Sequence, residues 1–251
     1  MSKKLTTLIA PVIFSPTYIK RIRGFFGTSL AAYWPKSEAS GSVAYDQSGN
    51  GRNGAYTGVD LANIMGPAKT KTRAPYFDGA NDVCNVYSAS LVTGFPYHAG
   101  SFFIWLKVLN VGVWTDALFR RGIYFAQHTT NNYVSLHKTS TNNQFIIQRS
   151  ANAISDYVTI AGLTTVDWFL VGITFSEAAD QLIAYLNGAQ TGATQTGLGV
   201  WSVENLNSTA CCIGSESTAH LQTWNGWAAH SFILNRVATP AEVATVYNWG
   251  A

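Results

Sequence analysis

Charge is scarce in this chain. Acidic and basic side chains make up only 12% of its 251 residues, about half the usual share of about 25%. Disorder is excluded, because disordered chains pair low hydrophobicity with high net charge and here 47% of residues are hydrophobic. Cysteine is equally sparse: Cys84 and the adjacent Cys211 and Cys212 show no C-x-x-C spacing. That excludes a disulfide framework and a zinc knuckle, and leaves three small apolar thiols for the core. No run reaches the ~18 apolar residues of a membrane span. The 5–14 stretch after Lys3 and Lys4 is broken by Pro11 and followed by no A-x-A site, so it is not read as a signal peptide.

Catalytic signatures are missing too. There is no H-E-x-x-H, P-loop or G-x-S-x-G, and the five histidines are never three or four apart. Glycoside hydrolysis needs two carboxylates around the scissile bond, and residues two apart on a strand share a face. No two of the thirteen acids are two apart, which excludes a same-strand catalytic pair. The chain is therefore read as a non-enzyme.

What charge there is lies unevenly. Residues 1–36 hold Lys3, Lys4, Lys20, Arg21, Arg23 and Lys36 without one acid, against a net charge of +3 for the whole. This basic arm, residues 1–28, is read as an assembly contact ahead of a nucleic-acid contact. Within it Ser15 and Pro16 form a helix start. Tyr18, Ile19, Ile22, Phe25 and Phe26 then recur at helical spacing, with Lys20, Arg21 and Arg23 on the other side and Gly27 as the stop. The ordering cost of such an arm, about 1–2 kcal/mol per residue, predicts burial of this apolar stripe, together with Leu5, Leu8, Ile13 and Phe14, on a neighbouring subunit or another protein.

From about 30 to 236 the pattern is β. Apolar or aromatic runs at 101–108, 167–175 and 181–186, with shorter ones at 142–148 and 156–160, are separated by polar turns such as Asn187-Gly188. Many short strands in one chain point to an all-β antiparallel sandwich of two sheets. Thr239-Pro240-Ala241-Glu242 then predicts a capped helix over about 240–248. One domain, 29–251, follows the arm.

One loop invites a ligand. Asp46-Gln47-Ser48-Gly49-Asn50-Gly51 places a carboxylate, a hydroxyl and an amide on alternate residues. Asp46 and Asn50 are candidate calcium ligands, although Thr57 stands where an EF-hand loop carries glutamate. The competing reading is a turn held by Asx hydrogen bonds.

In order, LAAYWPKSE at 30–38, DQSGNGRNG at 46–54, FDGAND at 77–82, SFFIWLKV at 101–108, WFLVGITF at 168–175, YLNG at 185–188, Ile213-Gly214 and the 224–243 stretch resemble the concanavalin A-like lectin/glucanase superfamily, in its laminin G-like form common in bacterial and phage proteins. The resemblance implies a two-sheet jelly roll, glycan or protein recognition and often a structural calcium. Ala229-His230 departs from it where many members carry an acid, and the glucanases' catalytic strand is absent. The implied function is a non-catalytic virion structural or accessory protein, a phage capsid decoration, fibre or tail component, whose arm meets neighbouring subunits or capsid or tail proteins. Its lectin-like domain would bind a cell-surface glycan, with Trp114, Trp201, Trp224 and Trp227 as candidate sugar platforms, whereas Trp34, Trp105 and Trp168 read as core. The alternative is a secreted, extracellular bacterial adhesin or glycan-binding module, and a glycan hydrolase or lyase comes third.

Overall fold

A computed structural model describes residues 17–127 and 131–251. Two antiparallel eight-stranded sheets form a sandwich. The first sheet runs β14 (Ala189–Gln195), β13 (Gln181–Leu186), β12 (Phe169–Ser176), β7 (Ala99–Val108), β16 (Asn225–Leu234), β5 (Arg73–Asp78) and β4 (Asp60–Met65). β1 (Leu30–Trp34) pairs with the last half of β16. The second sheet runs β11 (Ile154–Ile160), β10 (Phe145–Ala151), β9 (Tyr133–Lys138), β8 (Arg120–Ala126), β15 (Cys211–Ile213), β6 (Val83–Asn85), β3 (Gly54–Thr57) and β2 (Val43–Ala44).

Strand β7 shows why the 101–108 run is apolar on both sides. Phe102, Ile104 and Leu106 enter the core between the sheets. Phe103 and Trp105, on the other face, enter a second cluster with Tyr18, Ile22, Phe26, Val243 and Val246. Those last residues belong to two helices, α1 (Tyr18–Phe26) and α3 (Pro240–Gly250), laid over the outside of the first sheet. Each alternate side chain thus has an apolar partner, one from a sheet and one from a helix. A third short helix, α2 (Ala89–Gly94), precedes β7.

α3 begins as its sequence requires: Thr239 Oγ1 accepts from Glu242 N, and the Glu242 carboxylate accepts from Thr239 N. α1 starts at Thr17 as N-cap, two residues after the expected Ser15. Ser15 and Pro16, with Leu5, Leu8, Ile13, Phe14 and the rest of 1–16, lie outside the described residues.

The position of α1 corrects the reading of the arm. Tyr18, Ile22 and Phe26 are buried on the chain's own sheet. Trp105 Nε1 donates to Tyr18 Oη at 3.0 Å, and the Tyr18 ring meets the His230 ring edge-on at 4.6 Å. Ile19 packs at the margin of the same cluster, Phe25 leans on Trp249, and Arg21 lies over the Trp249 ring. Lys20 and Arg23 face solvent. The periodicity identified the stripe; the surface it covers is β7 and β16, not a neighbouring subunit. The three thiols are free and buried, as expected.

Candidate functional site

Three of the four tryptophans expected as sugar platforms belong to the core. Trp114, Trp201 and Trp224 are 0–2% exposed, and each indole N–H donates to a backbone carbonyl, of Thr165, Val203 and Lys107 respectively. A buried ring with a satisfied N–H offers a sugar nothing. Trp227 alone is half-buried, packed on Tyr76 at 5.3 Å with its N–H on Asn63 Oδ1. Trp34 and Trp105 are core as expected; Trp168 is half-buried.

The calcium reading of the 46–51 loop meets a donor-filled site. Asp46 Oδ1 accepts from Tyr33 N at 2.9 Å and Ser48 N at 2.8 Å. Its Oδ2 accepts from Ser48 Oγ at 2.8 Å and Arg52 N at 2.9 Å. Asn50 turns its Nδ2 toward Leu30 O and Ala31 O. A carboxylate ringed by N–H and O–H donors and an amide presenting nitrogen do not fit a cation that needs six to eight oxygens. The loop is the Asx-bonded turn, and it ties β1 to β3.

The residues that do assemble a cleft were not singled out from sequence. At the end of the sandwich where β16 begins, Gly79, the 117–120 segment, Ser140, His220, Gln222 and Thr223 enclose about 400 Å³. They come from four connections: β5 to β6, the approach to β8, β9 to β10, and β15 to β16. Asp116 holds this end together. Its Oδ2 accepts from Arg120 Nε at 2.6 Å, and its Oδ1 from Lys138 Nζ at 2.5 Å. Partial burial pushes the Asp116 carboxyl up, but the Lys138 and Arg120 hydrogen bonds outweigh it and hold the group below the usual carboxylate range. Arg120 Nη1 also reaches Thr223 O at 2.9 Å. Gly79 is required: its φ is +79°, and a Cβ there would lie 2.7 Å from Arg120 Nη1 and 2.8 Å from Asn225 Cβ. Through Asn225, whose Oδ1 accepts from Tyr76 Oη at 3.3 Å, the cleft adjoins the Tyr76–Trp227 pair.

Three features mark the cleft as more than a gap between loops. Ala117, His220 and Gln222, all non-glycine, have left-handed backbones with φ of 52–61°, a strain that collects at binding sites. Leu118 and Phe119 are 52% and 43% exposed on the rim. Above all, His220 Nδ1 and Gln222 Oε1 are shut from solvent with no hydrogen-bond partner, each costing about 1–3 kcal/mol relative to a paired state. The only sequence signal was an apolar pair, Leu118-Phe119, abutting Arg120-Arg121 in a loop.

The fold has counterparts among solved structures. No family model matches the chain, and no curated protein does. The receptor-binding domain of botulinum neurotoxin C/D mosaic serotype is 14% identical, with a TM-score of 0.64 over 88% of this chain and 51% of that one. The serotype D ligand-binding domain in complex with N-acetylneuraminic acid is 14% identical, with a TM-score of 0.61 over 88% and 50%. The neurotoxin DC binding domain in complex with rat synaptotagmin II is 14% identical, with a TM-score of 0.60 over 88% and 51%. At these identities the likeness is one of fold, a two-sheet β-sandwich. The chain spans about half the length of each of these structures.

Proposed function

We propose that this protein is a non-catalytic glycan-binding module that takes an uncharged sugar in the cleft at the start of β16. The observation that carries the reading is the orphaned pair, His220 Nδ1 and Gln222 Oε1, behind the wall of a cleft of mixed polar and apolar lining with an exposed aromatic rim. A sugar hydroxyl both donates and accepts, so it serves the Gln222 oxygen and either tautomer of His220. Entry needs rotation of those two side chains, while the Phe119 ring offers a stacking face. Arg120, Lys138 and Arg121 are already paired with Asp116 and Glu216, so the cleft has no spare cation for an acidic sugar.

Two further observations support the reading. The ordered motif series fits a laminin G-like member of the concanavalin A-like superfamily, and the structural neighbours include a receptor-binding domain and a ligand-binding domain in complex with N-acetylneuraminic acid, which bears on glycan recognition and not on the charge of the sugar. The calculation against catalysis is the acid spacing given above. The virion placement drew on the phage-like motifs and on the arm docking elsewhere, and α1 on its own sheet removes the second support for residues 18–26. Protein identification on purified particles tests what remains of it.

The test is an array of neutral and acidic glycans, followed by calorimetry on the best neutral binder. Phe119→Ala and Gln222→Ala should each weaken it at least tenfold, about 1.4 kcal/mol, while Gln222→Ala, which removes an unpaired buried oxygen, should not lower the melting temperature. An array without neutral binders, or variants that bind like the parent, would sink the proposal.

A further inference from the structure

A second cleft lies at the opposite end of the first sheet. Leu30 on its floor pairs with Leu234, the last residue of β16, whereas the first cleft flanks Asn225, the first residue. Ten strand residues separate them, about 30 Å. This cleft, of about 580 Å³, lies between α1 and the 48–50 turn. Its lining is Lys20 and Arg23, bare backbone at Gly24 and Gly27, and the polar Thr28, Ser48 and Asn50. None of the lining residues is acidic.

We propose that this cleft binds a saccharide bearing sulfate, phosphate or carboxylate groups. Lys20 and Arg23 are three apart on α1, so both side chains leave the same side of the helix. Neither side chain has a hydrogen bond or ion pair among the described residues, in a chain where Arg120, Arg121, Lys138, Arg149 and Arg236 are all paired with acids. The nearest loop carboxylate, Asp46, spends both oxygens on its own turn, so it neither neutralises these cations nor repels an anion. The helix that carries them is fixed by Tyr18, Ile22 and Phe26, which holds the two charges over the cleft instead of leaving them on a free tail. The lining lacks an aromatic face, so stacking contributes nothing and charge must dominate. Hydroxyl and amide groups beside the cations suit a polyhydroxylated ring, and the volume falls in the usual range for small-ligand sites, about 300–1,000 Å³. A duplex would need a long basic surface instead of a pocket. This site stands independently of the neutral-sugar cleft.

The test is calorimetry on the full chain with a heparin-derived tetrasaccharide, N-acetylneuraminic acid, inorganic sulfate, a neutral dextran tetrasaccharide and a twenty-nucleotide single strand, at 50 mM NaCl. The expected result is binding of the heparin-derived tetrasaccharide or N-acetylneuraminic acid, and none of the dextran; since both ligands carry carboxylates, binding of the first without the second points to sulfate. Lys20→Gln with Arg23→Gln should weaken that binding at least tenfold, as should 300 mM NaCl. Lys69→Gln with Lys71→Gln, and Lys3→Gln with Lys4→Gln, should change it less than twofold. Equal losses from either control pair, tighter binding of the oligonucleotide, or binding of inorganic sulfate alone would overturn the proposal.

Discussion

The two ends of β16 use their cations in opposite ways. At its start, Arg120 and Lys138 are buried and spent on one carboxylate, and the unmet demand is for neutral hydrogen bonds at His220 and Gln222. At its end, the acid of the loop is enclosed mostly by backbone donors, and Lys20 and Arg23 stand in water, unpaired among the described residues. One end is structural charge around a neutral cleft; the other is functional charge on a neutral frame. Sequence composition cannot separate these cases, because an arginine in either setting is one letter.

The largest expected effect tests the structural charge. Asp116→Ala leaves Lys138, with a fully buried side chain, and Arg120, 7% exposed, without their counterion. Breaking a buried pair costs about 3–5 kcal/mol, and at roughly 2–4 °C per kcal/mol for a chain of this size the melting temperature should fall by about 10 °C. A loss under 2 °C would show that this end is held by its backbone alone.

Next in size is the enclosed carboxylate of the other end. Asp46→Ala removes the acceptor of three backbone N–H groups and one hydroxyl, at about 1–3 kcal/mol for the donors left behind. Because those donors occupy both oxygens, EDTA should leave the melting temperature of the parent unchanged. A fall on chelation, restored by calcium, would revive the metal reading against the geometry.

Much of the frame was legible beforehand. The capping box at Thr239, the turn at Asn187-Gly188 and the apolar run of β7 each follow from a local rule, and the structure obeys them. The helix α1 was legible as a stripe but not as a docking event, since its partner surface is Phe103, Trp105 and Phe232, more than 70 residues away in sequence. The tryptophans misled for a related reason: Trp114, Trp201 and Trp224 sit in or beside loops, where proximity to a turn suggests exposure, yet their loops fold inward and pair each N–H with a carbonyl. The cleft at the start of β16 was illegible because its lining is gathered from four loops spread over nearly 150 positions.

Acid separates the two ends further. Burial, and then the Arg121 charge, holds His137 well below its usual range; burial, and then Lys36, does the same to His230. Below the unfolded value near 6.5 the unfolded chain binds more protons than the folded one, so stability falls as pH drops from there toward the folded values. Each group contributes up to about 1.4 kcal/mol per pH unit in that window. His137 packs on the rim residue Phe119 at 6.2 Å, so His137→Gln should flatten the fall in melting temperature between pH 6.5 and 5. Lys36 acts at higher pH. Burial lowers it to about 7, so stability rises from pH 7 toward 10.5, where the unfolded lysine still holds its proton. Lys36→Met should abolish that rise, and an unchanged slope would show that the lysine reaches water.

The smallest expected effect sits at the functional charge. Lys20 and Arg23 are exposed and unpaired, so replacing both with glutamine removes no contact within the described residues. Surface changes of this kind stay within about ±0.5 kcal/mol, and the folded chain even loses a like-charge repulsion between positions three apart. The double variant should therefore melt within 2 °C of the parent at low salt, and 300 mM NaCl should leave the difference no larger. A marked destabilisation would mean that these cations hold α1 down, and the contrast between the ends of β16 would collapse into structural charge at both.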